Sequence, residues 1–86
     1  MKTMLPAIHL NGSGAKALAE QAEAARQALY AAQEALSNAA PNARDYYTIG
    51  DDAFRVARAE HEARQGALRE MLEHFERVQL RAMGED

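Results

Sequence analysis

The chain has 86 residues, a net charge of −3, 48% apolar residues and no cysteine. That length supports one domain whose core stays modest unless another copy completes it. Without cysteine there is no disulfide framework and no thiolate metal site, and a negative balance argues against general nucleic-acid or membrane-surface binding through a broad positive field. No run reaches the ~18 apolar residues of a membrane span, and Pro6 and His9 break the apolar stretch a signal peptide needs, so a cytoplasmic protein is expected. Alanine occurs 20 times and eight of the ten basic residues are arginine. Alanine favours helix and close backbone approach, and arginine suits planar or stacked recognition as well as helix.

In chain order, residues 1–12 read as an extended clasp. Pro6 blocks helix, and Ile8 and Leu10 flank His9 with a period of two. A first helix is predicted over 13–38, with Ser13 as N-cap and Ala39-Ala40-Pro41-Asn42 closing it. A loop over 39–50 follows. A second helix is predicted over 51–83, capped by Asp51 or Asp52, with Gly84 and an acidic tail after it.

Packing follows from the apolar spacing. Leu18, Ala22, Ala25, Leu29, Ala32 and Leu36 keep the 3.5-residue rhythm of a coiled-coil seam. Phe54, Ala57, His61, Arg64, Leu68, Met71, Phe75, Val78 and Ala82 keep it in the second helix. The loop is short enough to make the helices antiparallel neighbours, so the expected fold class is all-α, a two-helix hairpin. Further small residues, Ala17, Ala24, Ala28, Ala31 and Ala35 in the first helix and Val56, Ala59, Ala63 and Gly66 in the second, form strips beside the seams. A hairpin alone rarely has enough core, so a homo-oligomeric bundle, dimeric or larger, is expected.

His61 and Arg64 are polar at seam positions. A buried cation needs a carboxylate, solvent or an anion. Glu60 supplies an intrahelical partner four residues before Arg64, a polar layer fixing register is a second account, and a ligand pocket a third. Residues 42–52, NARDYYTIGDD, hold two of the three tyrosines. Arg44, Asp45, Tyr46 and Tyr47 lie at one end of the hairpin, within about three helical turns of His61. Tyrosine faces stack on bases, and arginines and a helix N-terminus meet phosphates, so this loop set, with Arg55 and Arg58 nearby, has the chemistry to hold a nucleotide. The plainer alternative has the tyrosines plugging the end of the bundle and Arg44 pairing with Asp45, Asp51 or Asp52.

Catalysis is not expected. Glu70 and His74 are the one i,i+4 pair of potential metal ligands, and two ligands make no site. NGSG lacks the strand and the lysine of a phosphate loop, and there is no nucleophile elbow. No metal or other cofactor is implied. His9, His61 and His74 read as a tail, a seam and a surface residue.

The segments LPAIHLNGSG at 5–14, APNARDYY at 40–47, and AF with ARAEHEAR between 53 and 64 resemble a family of small phage and prophage proteins with an IHLNG-like start and an NGRDYY-like loop. Ala43 stands where that loop carries glycine, and TIGDD replaces its proline- and glycine-containing continuation. The resemblance implies a protein acting in the cytoplasm of an infected bacterial host. The hairpin arrangement is also similar to that of phage helical sponges for cyclic nucleotides, which implies a non-enzymatic counter-defence binder sequestering a nucleotide immune signal, its site assembled from Arg44, Tyr46, Tyr47, Arg58, His61 and Arg64, from one subunit or several. Two alternatives are a protein inhibitor of a host defence enzyme and a structural or assembly component of the phage.

Overall fold

Alanine, leucine, glutamate and glutamine without an interior proline give two long runs of helix, and Pro41 separates them. In the computed structural model, which describes residues 3–8 and 14–84, α1 spans Ala15–Asn38 and α2 spans Ala53–Ala82. No strand occurs among the described residues. The two helices pack antiparallel, with Glu23 and Arg26 near the start of α1 meeting Gln79 and Glu76 near the end of α2. The hairpin is a rod of 60 × 22 × 19 Å.

The helix ends correct several expectations. The N-cap of α1 is Gly14, extended at φ −66° and ψ 157°, and not Ser13, which lies outside the described residues. The helix stops at Asn38 because Ala40, preceding Pro41, is disfavoured in the α region. Asp52 occupies the N-cap position of α2, but its carboxylate accepts from Arg55 at 3.2 and 3.1 Å and makes no cap bond. A nearby guanidinium outcompetes the backbone amides. Gly84, at φ 79°, takes the left-handed conformation that ends α2, its amide donating to the Arg81 carbonyl at 3.1 Å.

The seam is narrower than the sequence suggests. Ala22, Leu72 and Val78 are the buried apolar residues, joined by His61 at 7% exposure. Phe54, Ala57, Leu68, Phe75 and Ala82 of α2 and Leu18, Ala25, Leu29 and Leu36 of α1 are half-buried. Arg64, Met71 and Ala32 are exposed, and the contact rows run instead through Gln65, Leu72 and Gln33. The cause is geometric: a helix repeats every 3.6 residues, so a strict 3.5-residue pattern drifts by about 20° per heptad and the adjacent residue rotates into the contact.

At about 100° per residue, the hairpin has two unlike broad faces flanking the seam. One carries Glu23, Arg26, Tyr30, Gln65, Arg69 and Glu76, and two grooves of mixed lining open on it. The other carries exposed Ala24, Ala28, Ala32 and Ala35 of α1 beside exposed Val56, Ala63, Ala67 and Met71 of α2. Ala17 is half-buried, whereas Ala31 and Ala59 are exposed. Gly66 is half-buried, and a Cβ there would meet only the Arg69 guanidinium, at 3.8 Å, so no close backbone approach within the chain requires glycine.

Of the clasp expected over 1–12, Thr3–Ile8 is described and lacks regular structure. Thr3 reaches the C-terminal half of α2, where it borders an apolar groove of about 290 Å³ with Ala67, Glu70, Met71, His74 and Phe75. Leu5 and Pro6 are half-buried, and Met4 is 90% exposed. His9 and the tail beyond Gly84 lie outside the described residues.

Candidate functional site

The loop is built by local hydrogen bonds. Asn42 accepts the Arg44 amide on its side-chain oxygen at 3.1 Å and starts a 3-10 turn over Ala43–Asp45. The amides of Tyr46 and Tyr47 both donate to the Ala43 carbonyl, at 3.0 and 3.2 Å, and the Ile49 amide donates to the Tyr46 carbonyl at 3.0 Å. Two consecutive turns therefore hold the tip and send the adjacent tyrosines in different directions.

Tyr46 turns inward. It is half-buried, its ring 6.4 Å from Phe54 at the start of α2. The Arg58 guanidinium lies over the same Phe54 ring, 5.8 Å from the centroid, and its Nε is 4.0 Å from the Glu62 carboxylate. Tyr47 turns outward and is 76% exposed. Arg44 is exposed and has no ion pair among the described residues, so the expected pairing with Asp45, Asp51 or Asp52 does not form. Tyr46 thus meets the end-plug account, and Tyr47 does not.

Of the six candidate residues, Tyr46 and Arg58 meet through Phe54, with Arg44 and Tyr47 on the same tip. His61 points into the seam, and its Nε2 is buried without a hydrogen-bond partner. Arg64 is separated from Arg58 by six residues and so by about 120° around the helix, which puts it on the alanine-rich face. Neither Arg64 nor Glu60 is ion-paired among the described residues, although their i,i+4 spacing allows it.

The tip also holds a shallow groove of about 530 Å³, bordered by Tyr46, Ile49, Gly50, Ala53, Val56 and Glu60. Tyr46 alone of the six candidates lines it. Ile49 is 71% exposed. Ile49 was missed from sequence, since one isoleucine after a tyrosine pair looks like loop filler until the turn turns it outward.

A second polar cluster was also missed. Gln79 of α2 donates to Glu23 at 2.9 Å and accepts from Arg26, whose guanidinium also donates to Tyr30 at 3.3 Å and lies 3.9 Å from Glu76. Gln27 donates to the other Glu23 oxygen at 2.8 Å. The hydrogen bonds from Gln27 and Gln79, with Arg26 nearby, hold the Glu23 carboxyl below its ordinary range, against a smaller opposing effect of burial. The signal was legible: Glu23 and Gln27, and Glu76 with Gln79, flank their seams at one end of an antiparallel pair.

His74, expected at the surface, is half-buried edge-on to Phe75 with centroids 4.9 Å apart, and its Nδ1 has no partner. No group of three potential metal ligands occurs among the described residues. No helix among them is long and apolar enough to cross a membrane. No protein family, curated protein or solved structure matches this chain.

Proposed function

We propose that the protein is a non-enzymatic binder that sequesters a small anionic ligand at the hairpin tip, most concretely a nucleotide signal, in the counter-defence setting its phage-like segments imply. The observation that carries this reading is the exposed, ion-unpaired Arg44 beside the outward Tyr47 ring. Of the nearby acids, Asp52 is engaged by Arg55 and Glu62 by Arg58, while Asp45 and Asp51 do not pair with Arg44, so its cation and the Tyr47 face stay open to a phosphate and a base. Tyr46 and Phe54 anchor the tip from beneath, and Arg58 adds a second guanidinium above Phe54. His61 supports that end from the seam. Arg64 faces elsewhere and is not part of this binding set.

Thermal melting of the protein with a panel of cyclic di- and trinucleotides tests the proposal. A ligand at about 100 times its Kd stabilises the folded state by about 2.7 kcal/mol, a shift of many degrees for a chain of this size. Arg44→Ala lowers affinity about tenfold or more, as expected for loss of a charge-assisted hydrogen bond, and Tyr47→Ala weakens binding by the stacking contribution. Absence of stabilisation by every member of the panel sinks the nucleotide reading.

A further inference from the structure

The alanine-rich broad face is open over the N-terminal half of α2 and meets Thr3 over the C-terminal half. Between positions 53 and 71 that face presents Ala53, Val56, Glu60, Ala63, Arg64, Ala67 and Met71 within about a third of the helix circumference. Val56 is 44% exposed and Met71 51% exposed. Its central charges are Glu60 and Arg64, of opposite sign and one turn apart, with Glu70 at the edge beside Ala67 and Met71.

We propose that this half-face is the interface with a second copy of the chain, α2 lying antiparallel on α2 of the partner about a two-fold axis near residue 62. Glu60 then meets Arg64 of the partner subunit, and Arg64 meets the partner's Glu60.

Three observations carry it. The first is charge. Glu60 and Arg64 have the spacing and order that favour an intrahelical pair, and they do not make one, whereas Arg58 and Glu62 on the opposite broad face approach to 4.0 Å. A two-fold axis between an acid and a base turns the pair into two reciprocal contacts, the self-complementarity an isologous interface needs.

The second is shape. The same axis sets position 71 of one copy level with position 53 of the other, so Met71 of the partner subunit lies over the 530 Å³ tip groove between Ile49 and Val56. Methionine is flexible enough to fill so shallow a groove. Each groove is filled only by the other copy.

The third is area. The chain exposes 6357 Å², against about 5,050 Å² for a compact protein of its mass. Its radius of gyration of 18.0 Å likewise exceeds the roughly 12 Å of a compact chain of this length. The surplus, about 1,300 Å², exceeds the ~800 Å² each partner contributes to an interface of standard size. Cationic Arg44 and the Tyr47 ring stay outside the contact row, so the inference is independent of the ligand reading.

Sedimentation velocity on the full chain, read with far-ultraviolet circular dichroism, tests it. The wild type sediments as a dimer or a multiple of one at tens of micromolar. Glu60→Arg and Arg64→Glu each put like charges face to face and weaken association about tenfold or more, and the double exchange restores it to within about threefold. Ala63→Cys, beside the axis in a chain that has no other cysteine, cross-links two copies on air oxidation. Glu34→Cys on the polar broad face is the control and does not. The cysteine pair keeps the test decisive if a charge variant fails to fold. A helical wild-type monomer overturns the proposal, as do single variants that associate normally, a double exchange that fails to restore association, or cross-linking at position 63 no better than at 34.

Discussion

The two ends of this hairpin are held in different ways. At the open end, where α1 begins and α2 finishes, Ala22, Leu72 and Val78 are buried and the Glu23–Arg26–Gln79–Glu76 cluster crosses between the helices. At the tip the apolar contacts are all half-buried, the Tyr46–Phe54 pair with Leu36 and Ala57 over the buried His61, and the remaining order comes from backbone turns. Hydrogen bonds across the open end have one satisfactory alignment, so they set the register of the helices. Backbone turns fix the loop but leave the side chains of Arg44, Tyr47 and Ile49 in solvent. One end specifies the fold, and the other leaves a cation, an aromatic ring and an isoleucine exposed.

The contrast breaks most readily at Leu72, 5% exposed between the helices. Leu72→Ala removes a buried side chain from a core with few others and costs about 2–5 kcal/mol. Since a small domain has about 5–15 kcal/mol in total, thermal melting by circular dichroism is expected to show a fall of well over 10 °C or a chain unfolded at 37 °C. A shift of only a few degrees would mean that the open end does not dominate stability.

Gln79→Ala is the next step down. It deletes the side chain that donates to Glu23 and accepts from Arg26, leaving both charged groups half-exposed to water. Urea unfolding is expected to show a loss of about 1 kcal/mol, small because water takes over the bonds. Register is the sharper readout. Spin labels at exposed Glu20 and Glu73 should give one distance in the wild type and a broadened distribution in the variant, and an unchanged distribution removes the cluster's specifying role.

How much of this was legible beforehand differs along the same axis. The α1 boundary at Asn38 followed from Pro41, which fixes local backbone whatever packs around it. The antiparallel pairing followed from two apolar stripes and a short loop. The finer seam did not, because Leu68, Met71 and Leu72 are all apolar and one turn of helix accepts either Met71 or Leu72 as the contact. The more compact pairing chose Leu72, and Arg64 went out to solvent where its charge costs nothing. Asp52 misled as a cap since capping and pairing use the same oxygens, and only the Arg55 rotamer decides between them. In the candidate site, the shared tip of Arg44, Tyr46, Tyr47 and Arg58 was readable from sequence distance, whereas Arg64 required the rotation of α2.

The smallest expected effect concerns protons at the register cluster. Glu23 accepts from Gln27 and Gln79, and these bonds hold its carboxyl below the 4.5 of an unperturbed glutamate. A carboxylate whose folded-state pKa is lowered contributes stability in full above its unfolded value and loses it as the pH falls through the folded one. Below pH 4.5 the wild type therefore gives up a contribution that Glu23→Gln, which has no proton to take up there, never had. The variant melts below the wild type at pH 7, and the gap closes as the pH is taken to about 3, below the reference carboxylate range. Comparing the two proteins cancels the other carboxylates, which titrate in both. A gap that stays constant with pH would assign the cross-helix bonds of Glu23 to geometry alone and leave Arg26 and Gln79 to hold the open end without the charge.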